Sequence, residues 1–254
     1  MKTISQILKN LIVLFVLCIF PTGIFLIIEY AVTHEIARSS EYAPLCTLIG
    51  AVLSVIVFSK EKSVSISVQV PSVRSMLSML GIGFALKQCL LYLLCLTIGM
   101  NITGSLNTSL FALVSMLCIT PIGEEIIFRG ILPDLLNPQK SKTKLSFAAV
   151  LLIASLIWTA VHLYGMSVPS LLLFADGVMM TAIYLKCRNL VLTILYHAAL
   201  NTSMLIVGTL NEKYYGIAAV ICVLILIASV FNLIHLKHSS ASNAECNTNL
   251  QSNE

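Results

Sequence analysis

Three short patterns place chemically capable side chains inside strongly apolar stretches of this 254-residue chain. The first is Thr120-Pro121-Ile122-Gly123-Glu124-Glu125, followed by Arg129 four residues after Glu125. The second sets Trp158 four residues before His162, and the third sets His197 four residues before Asn201. On a helix, residues four apart share a face, so each pattern presents a polar pair. Glu124 and Glu125 are adjacent and point about 100° apart. Arg129 therefore compensates Glu125, which leaves Glu124 to project separately and to titrate. Trp158, beside the histidine, is read as packing. Thr120 with Pro121 either caps a restarted helix, placing a positive helix end near Glu124, or marks a simple kink.

A carboxylate, two histidines, an asparagine and an arginine suit hydrolysis. Glu124 can act as general base on a water, with His162 positioning that water or shuttling its proton. His197 and Asn201 are donors able to stabilise an oxyanion as a carbonyl carbon becomes tetrahedral. No serine or cysteine is evidently partnered with a histidine, so a covalent nucleophile is not indicated. HExxH is absent. The spacing leaves open a divalent metal such as zinc held by Glu124, His162 and His197, because such ligands activate water.

The elements that must position these groups follow from composition. Of the residues, 58% are hydrophobic and 10% charged, with a mean hydropathy of +0.96. A soluble domain carries about 25% charged residues, so a polytopic helical membrane protein is expected. A spanning helix needs about 20 apolar residues. Eight such stretches are read at residues 10–31, 43–59, 76–99, 110–133, 146–165, 171–185, 190–210 and 217–236, the sixth being the shortest. None alternates with period two, so the fold class is all-α. The net charge of +4 is small and dispersed, which speaks against nucleic acid as a partner.

Basic residues set orientation. Eleven of the 15 fall on one side if there are eight spans: Lys2, Lys9, Lys60, Lys62, Arg74, Lys140, Lys142, Lys144, Lys186, Arg188 and Lys237. Both termini are then cytoplasmic. Counting about 1.5 Å per residue from that side, Glu125 and Asn201 lie roughly 16 Å deep, His162 about 24 Å and His197 about 10 Å. One helical domain is expected over residues 1–236, with the motif-bearing core at about 110–210. Residues 237–254, polar and rich in Ser and Asn, read as a disordered cytoplasmic tail. The eight cysteines form no CxxC and suggest no disulfide framework.

Taken together and in order, the three motifs resemble those of the CPBP family, the CAAX-protease and bacteriocin-processing (Abi) group of intramembrane endopeptidases. Trp158 stands where that family usually has Phe. The resemblance implies an eight-span bundle with a cavity open to the cytoplasm. It implies Glu124 as base, His162 as its partner on the water, and His197 and Asn201 near the scissile carbonyl, with Glu125 and Arg129 completing the site. It further implies a peptide or protein substrate, prenylated or bacteriocin-related, met in the lipid bilayer. Minimal loops suggest a compact bacterial plasma-membrane member serving bacteriocin self-immunity or processing. Two rival readings are a proton-coupled transporter, since intramembrane Glu, His and Lys also build proton relays, and a non-catalytic immunity or interaction protein.

Overall fold

The computed structural model describes residues 2–33, 39–60, 64–99, 109–137, 145–162, 167–207 and 210–251. Lys62, Lys140, Lys142 and Lys144, which helped to set the orientation, lie outside the described residues. Within them the chain is helical and no strand occurs. The helices are α1 (Lys2–Thr33), α2 (Ser39–Lys60), α3 (Val73–Ile98), α4 (Leu110–Leu136), α5 (Phe147–Val161), α6 (Val168–Cys187), α7 (Leu190–Val207) and α8 (Tyr215–Gln251). Seven are long and apolar enough to cross a membrane, as expected of a multi-pass membrane protein. The exception is α5, whose 15 residues reach about 22 Å, short of a hydrocarbon core of about 30 Å. Of its expected span, 146–165, the helix covers residues up to Val161 with His162 as the C-cap, and residues 163–165 lie outside the described residues.

Local chemistry explains the helix ends. Helices α3, α4, α5 and α6 each start at a serine, namely Ser72, Ser109, Ser146 and Ser167, whose hydroxyl accepts from the N–H three residues on. That bond satisfies a donor which the helix leaves orphaned and which lipid cannot satisfy. Helix α8 continues to Gln251, through the polar stretch expected as a tail. No Gly or Pro interrupts it after Gly216, so nothing in the backbone stops propagation.

Helix α4 departs from the expected geometry. Its turns widen to π-helix at Ser115–Ile119 and again at Ile126–Ile131, with ordinary α-helix at Thr120–Glu125 between them. Thr120 keeps helical dihedrals, and the residue preceding this segment, Ile119, makes no side-chain cap. The helix therefore does not restart at Thr120, and no positive helix end lies beside Glu124. Pro121 lacks an N–H and crowds the carbonyl four residues back; the preceding wide turn accommodates that defect without ending the helix.

The chain divides into two compact units. Unit one comprises residues 1–69 and 108–194. Its core gathers Leu14, Ala51, Phe58, Ile127, Ile131, Leu132, Leu135 and Val150 from α1, α2, α4 and α5. Lipid provides no hydrophobic drive for helix association, so small residues admit close packing. A Cβ at Gly50 would lie 2.9 Å from Cys18 Cα and from the Leu17 carbonyl oxygen of α1, and one at Gly123 would lie 3.1 Å from the Leu48 nitrogen of α2. At one end of this unit Arg188, at φ 47°, pairs with Asp134 at 3.2 Å, and Asp134 accepts from the Ser65 N–H at 2.9 Å.

Unit two comprises residues 70–107 and 195–254. Helices α3 and α8 run antiparallel, from Asn232 donating to Ser78 Oγ at 2.6 Å to Tyr92 stacking on Tyr215 with centroids 5.0 Å apart. Helix α7 packs on α3 at Gly83, where a Cβ would meet the Tyr196 carbonyl oxygen at 3.0 Å. Ser203 Oγ donates to the Phe84 carbonyl at 3.0 Å.

The backbone contact at Gly50 generates a direct expectation. Gly50→Ala overpacks the α1–α2 contact and costs about 1–3 kcal/mol. Thermal unfolding in detergent should report a lowered midpoint, and an unchanged midpoint would refute the close approach.

Candidate active site

In unit one, α4 and α5 bring the first two motifs together. Glu125 and Arg129 have no exposed side-chain surface and form an ion pair, Nη1 to Oε1, at 3.0 Å. This is the i,i+4 pair expected from the sequence, and it persists although a wide turn lies between its members. Glu124 points elsewhere, as its 100° offset requires, and its side chain is 15% exposed.

Trp158 links these groups. Its indole N–H donates to Glu124 Oε2 at 2.9 Å. Arg129 lies over its ring, 4.6 Å from the centroid, a cation–π geometry. Its carbonyl oxygen lies 2.7 Å from His162 Nδ1, and its ring meets the imidazole edge-on with centroids 4.9 Å apart. Reading Trp158 as packing alone is thus corrected, since a side chain that is 2% exposed also directs a donor at Glu124. Two signals in the sequence pointed to it. It is the only tryptophan, and it stands one turn before His162. Gly177 of α6 was missed for a different reason. A Cβ there would lie 2.9 Å from Trp158 Cε3 and 3.3 Å from Ser155 Cβ, and nothing local in the sequence announces that contact.

His162 caps a helix end, where the last carbonyls lack intrahelical partners. The Trp158 carbonyl can only accept, so Nδ1 carries the proton. Nε2 is then the nitrogen turned to Glu124, 3.7 Å from Oε2. That separation exceeds a hydrogen bond yet lets one water contact both groups.

Glu124 and His162 sit on the wall of a cavity of about 790 Å³. Apolar side chains make most of the remaining wall, among them Leu11, Phe15 and Ile19 of α1, Ile127, Phe128 and Leu132 of α4, and Ile157 and Val161 of α5. Glu125, Arg129 and Trp158 do not line it.

The third motif belongs to unit two. His197 and Asn201 stand one turn apart on α7, with His197 4% exposed and Asn201 half-buried. Among the described residues no three or more of His, Cys, Asp and Glu are grouped as metal ligands.

The burial of both charges predicts an asymmetry. Arg129→Met alone leaves a buried carboxylate uncompensated and costs about 3–5 kcal/mol, whereas replacing both members, Glu125→Gln with Arg129→Met, is close to neutral. Melting curves in detergent distinguish the two, and equal midpoints for all three proteins would contradict a buried pair.

No curated protein and no solved structure gives a match to the chain. Residues 106–203, the stretch carrying all three motifs, match the Rce1-like family model, described as type II CAAX prenyl endopeptidase Rce1-like, in keeping with the CPBP family.

Proposed function

We propose that the chain is an intramembrane endopeptidase that hydrolyses a peptide bond with a water activated by Glu124 and His162. The family match supports a CAAX-type intramembrane endopeptidase in general terms. The observation that carries the mechanism is Glu124 Oε2 lying 3.7 Å from His162 Nε2 on the wall of a mostly apolar cavity.

The tautomer of His162 supports a specific role for each group. With Nδ1 protonated toward the Trp158 carbonyl, neutral His162 presents an acceptor at Nε2. A water donating one hydrogen to Glu124 and the other to His162 turns its lone pair toward a third direction, that of a substrate carbonyl. Glu124 takes one proton as the oxygen attacks, and the carbonyl becomes a tetrahedral oxyanion. His197 and Asn201 are the donors assigned to that oxyanion. Collapse breaks the C–N bond, and the proton held by Glu124 passes to the leaving amine. No covalent intermediate is needed.

The cavity wall supports a substrate with an apolar segment. We assign it a peptide or protein that is prenylated or bacteriocin-related, met in a bacterial plasma membrane with both termini of the enzyme cytoplasmic. Bacteriocin self-immunity or processing is the proposed biological role. An apolar wall accommodates a lipid chain or a hydrophobic helix alike, at about 25 cal/mol per Å² of apolar surface buried.

Glu124→Gln and His162→Ala, made singly, should lower cleavage by about 10²–10⁴-fold at unchanged expression. Membranes containing each variant would be assayed on a quenched fluorescent peptide ending in a prenylated cysteine and three further residues, and on its unprenylated counterpart. His197→Ala should fall by a similar factor if it serves the oxyanion. Full cleavage by Glu124→Gln would remove the glutamate-base mechanism.

A further inference from the structure

We infer that Trp158 is a positioning residue for the reaction, and that the buried Glu125–Arg129 pair acts on Glu124 through it. This inference rests on the endopeptidase reading with Glu124 as base.

An indole carries one N–H, fixed in the plane of a rigid ring, so holding the ring aims the donor. Here the ring is held on several sides. Arg129 lies over it at 4.6 Å. Backbone and side chain close in from α6 and α5, where a Cβ at Gly177 would come within 2.9 Å of Cε3 and 3.4 Å of Cζ3. The His162 ring meets it edge-on. The aimed N–H takes Glu124 Oε2 at 2.9 Å, and the backbone carbonyl of the same residue takes His162 Nδ1 at 2.7 Å. One residue therefore sets the direction of both groups that face the water. Arg129 is held in turn by Glu125 at 3.0 Å.

Glu125, Arg129 and Trp158 do not line the cavity, whereas Glu124 and His162 do. The first three therefore act from behind the wall, on the groups that meet substrate, and the order of contact is Glu125, Arg129, Trp158, Glu124. A phenylalanine at 158 would fill the same space and lie under Arg129, but it has no N–H to aim. The hydrogen bond to Glu124 belongs to this chain's tryptophan.

The test uses the full chain in detergent micelles, which add no tryptophan. Trp158→Phe should lower kcat by about 10- to 100-fold, the loss expected of one hydrogen bond to a charged group, with KM nearly unchanged because the residue is off the cavity wall. If that variant does not fold, benzothienylalanine at 158 keeps the bicyclic shape and replaces only the N–H by sulfur. The same fall in kcat is expected of it.

Because Trp158 is the only tryptophan, ultraviolet resonance Raman of the indole reports on this one hydrogen bond. In the double variant Glu125→Gln with Arg129→Met the band should move toward a weaker bond while kcat falls. In the Trp158→Phe background the same double change should cost little more. An unmoved Raman band, or additive losses, would overturn the relay through Trp158. Parental kcat in a protein with benzothienylalanine at 158 would overturn the positioning role while leaving the protease reading intact, provided Glu124→Gln is inactive. An active Glu124→Gln would instead remove the reading on which this inference rests.

Discussion

Arg129 is a cation with no exposed surface in a chain built to sit in hydrocarbon, and the candidate site in unit one is arranged around that charge. A lone guanidinium at such a position is strongly unfavourable. Glu125, one turn earlier, supplies the opposite charge at 3.0 Å, and Trp158 supplies a ring face. Arginine suits this double role better than lysine, because its planar, weakly hydrated guanidinium pairs with a carboxylate and stacks on an aromatic at once. The carboxylate next door is then left unclaimed by the arginine, and it turns to the cavity wall with the histidine.

The backbone makes room for this arrangement through departures from regular helix. Helix α4 carries its charged segment between two wide π turns, and such turns are frequent at functional sites because they re-aim side chains without ending the helix. Helix α5 stops after 15 residues. Its last turn offers carbonyls without intrahelical partners, and His162 takes one of them. The His162 N–H turns to the Thr159 carbonyl at 3.2 Å, which leaves the Trp158 carbonyl open to the imidazole. In each place a defect in regular structure becomes a hydrogen-bonding opportunity at the site.

Close packing supplies the remaining precision. Gly50 and Gly123 let α2 lie against α1 and α4 at backbone distance, and Gly177 lets α6 reach the tryptophan ring. In a bilayer these contacts replace the water-driven core of a soluble protein. They also hold the apolar cavity wall and the polar pair in one frame, since Ile127, Phe128 and Glu124 all stand on α4, and Ile157 stands on α5, which His162 caps.

Much of this was legible in the sequence, and the reason is locality. Apolar length reveals a spanning helix, and a spacing of four reveals a shared face, so the all-α class and the Glu125–Arg129 pair needed no knowledge of neighbours. The same locality is ambiguous at Thr120, where a capping signal and a simple kink look alike and the wide turn before Pro121 decides against the cap. Which atoms face each other was decided only by tertiary structure. That Trp158 directs its N–H at Glu124 depends on α4 and α5 lying side by side, and on a missing Cβ at Gly177 in a third helix. Contacts between residues 34 and 19 positions apart in sequence are set by how helices pack, and no spacing rule within one helix encodes them.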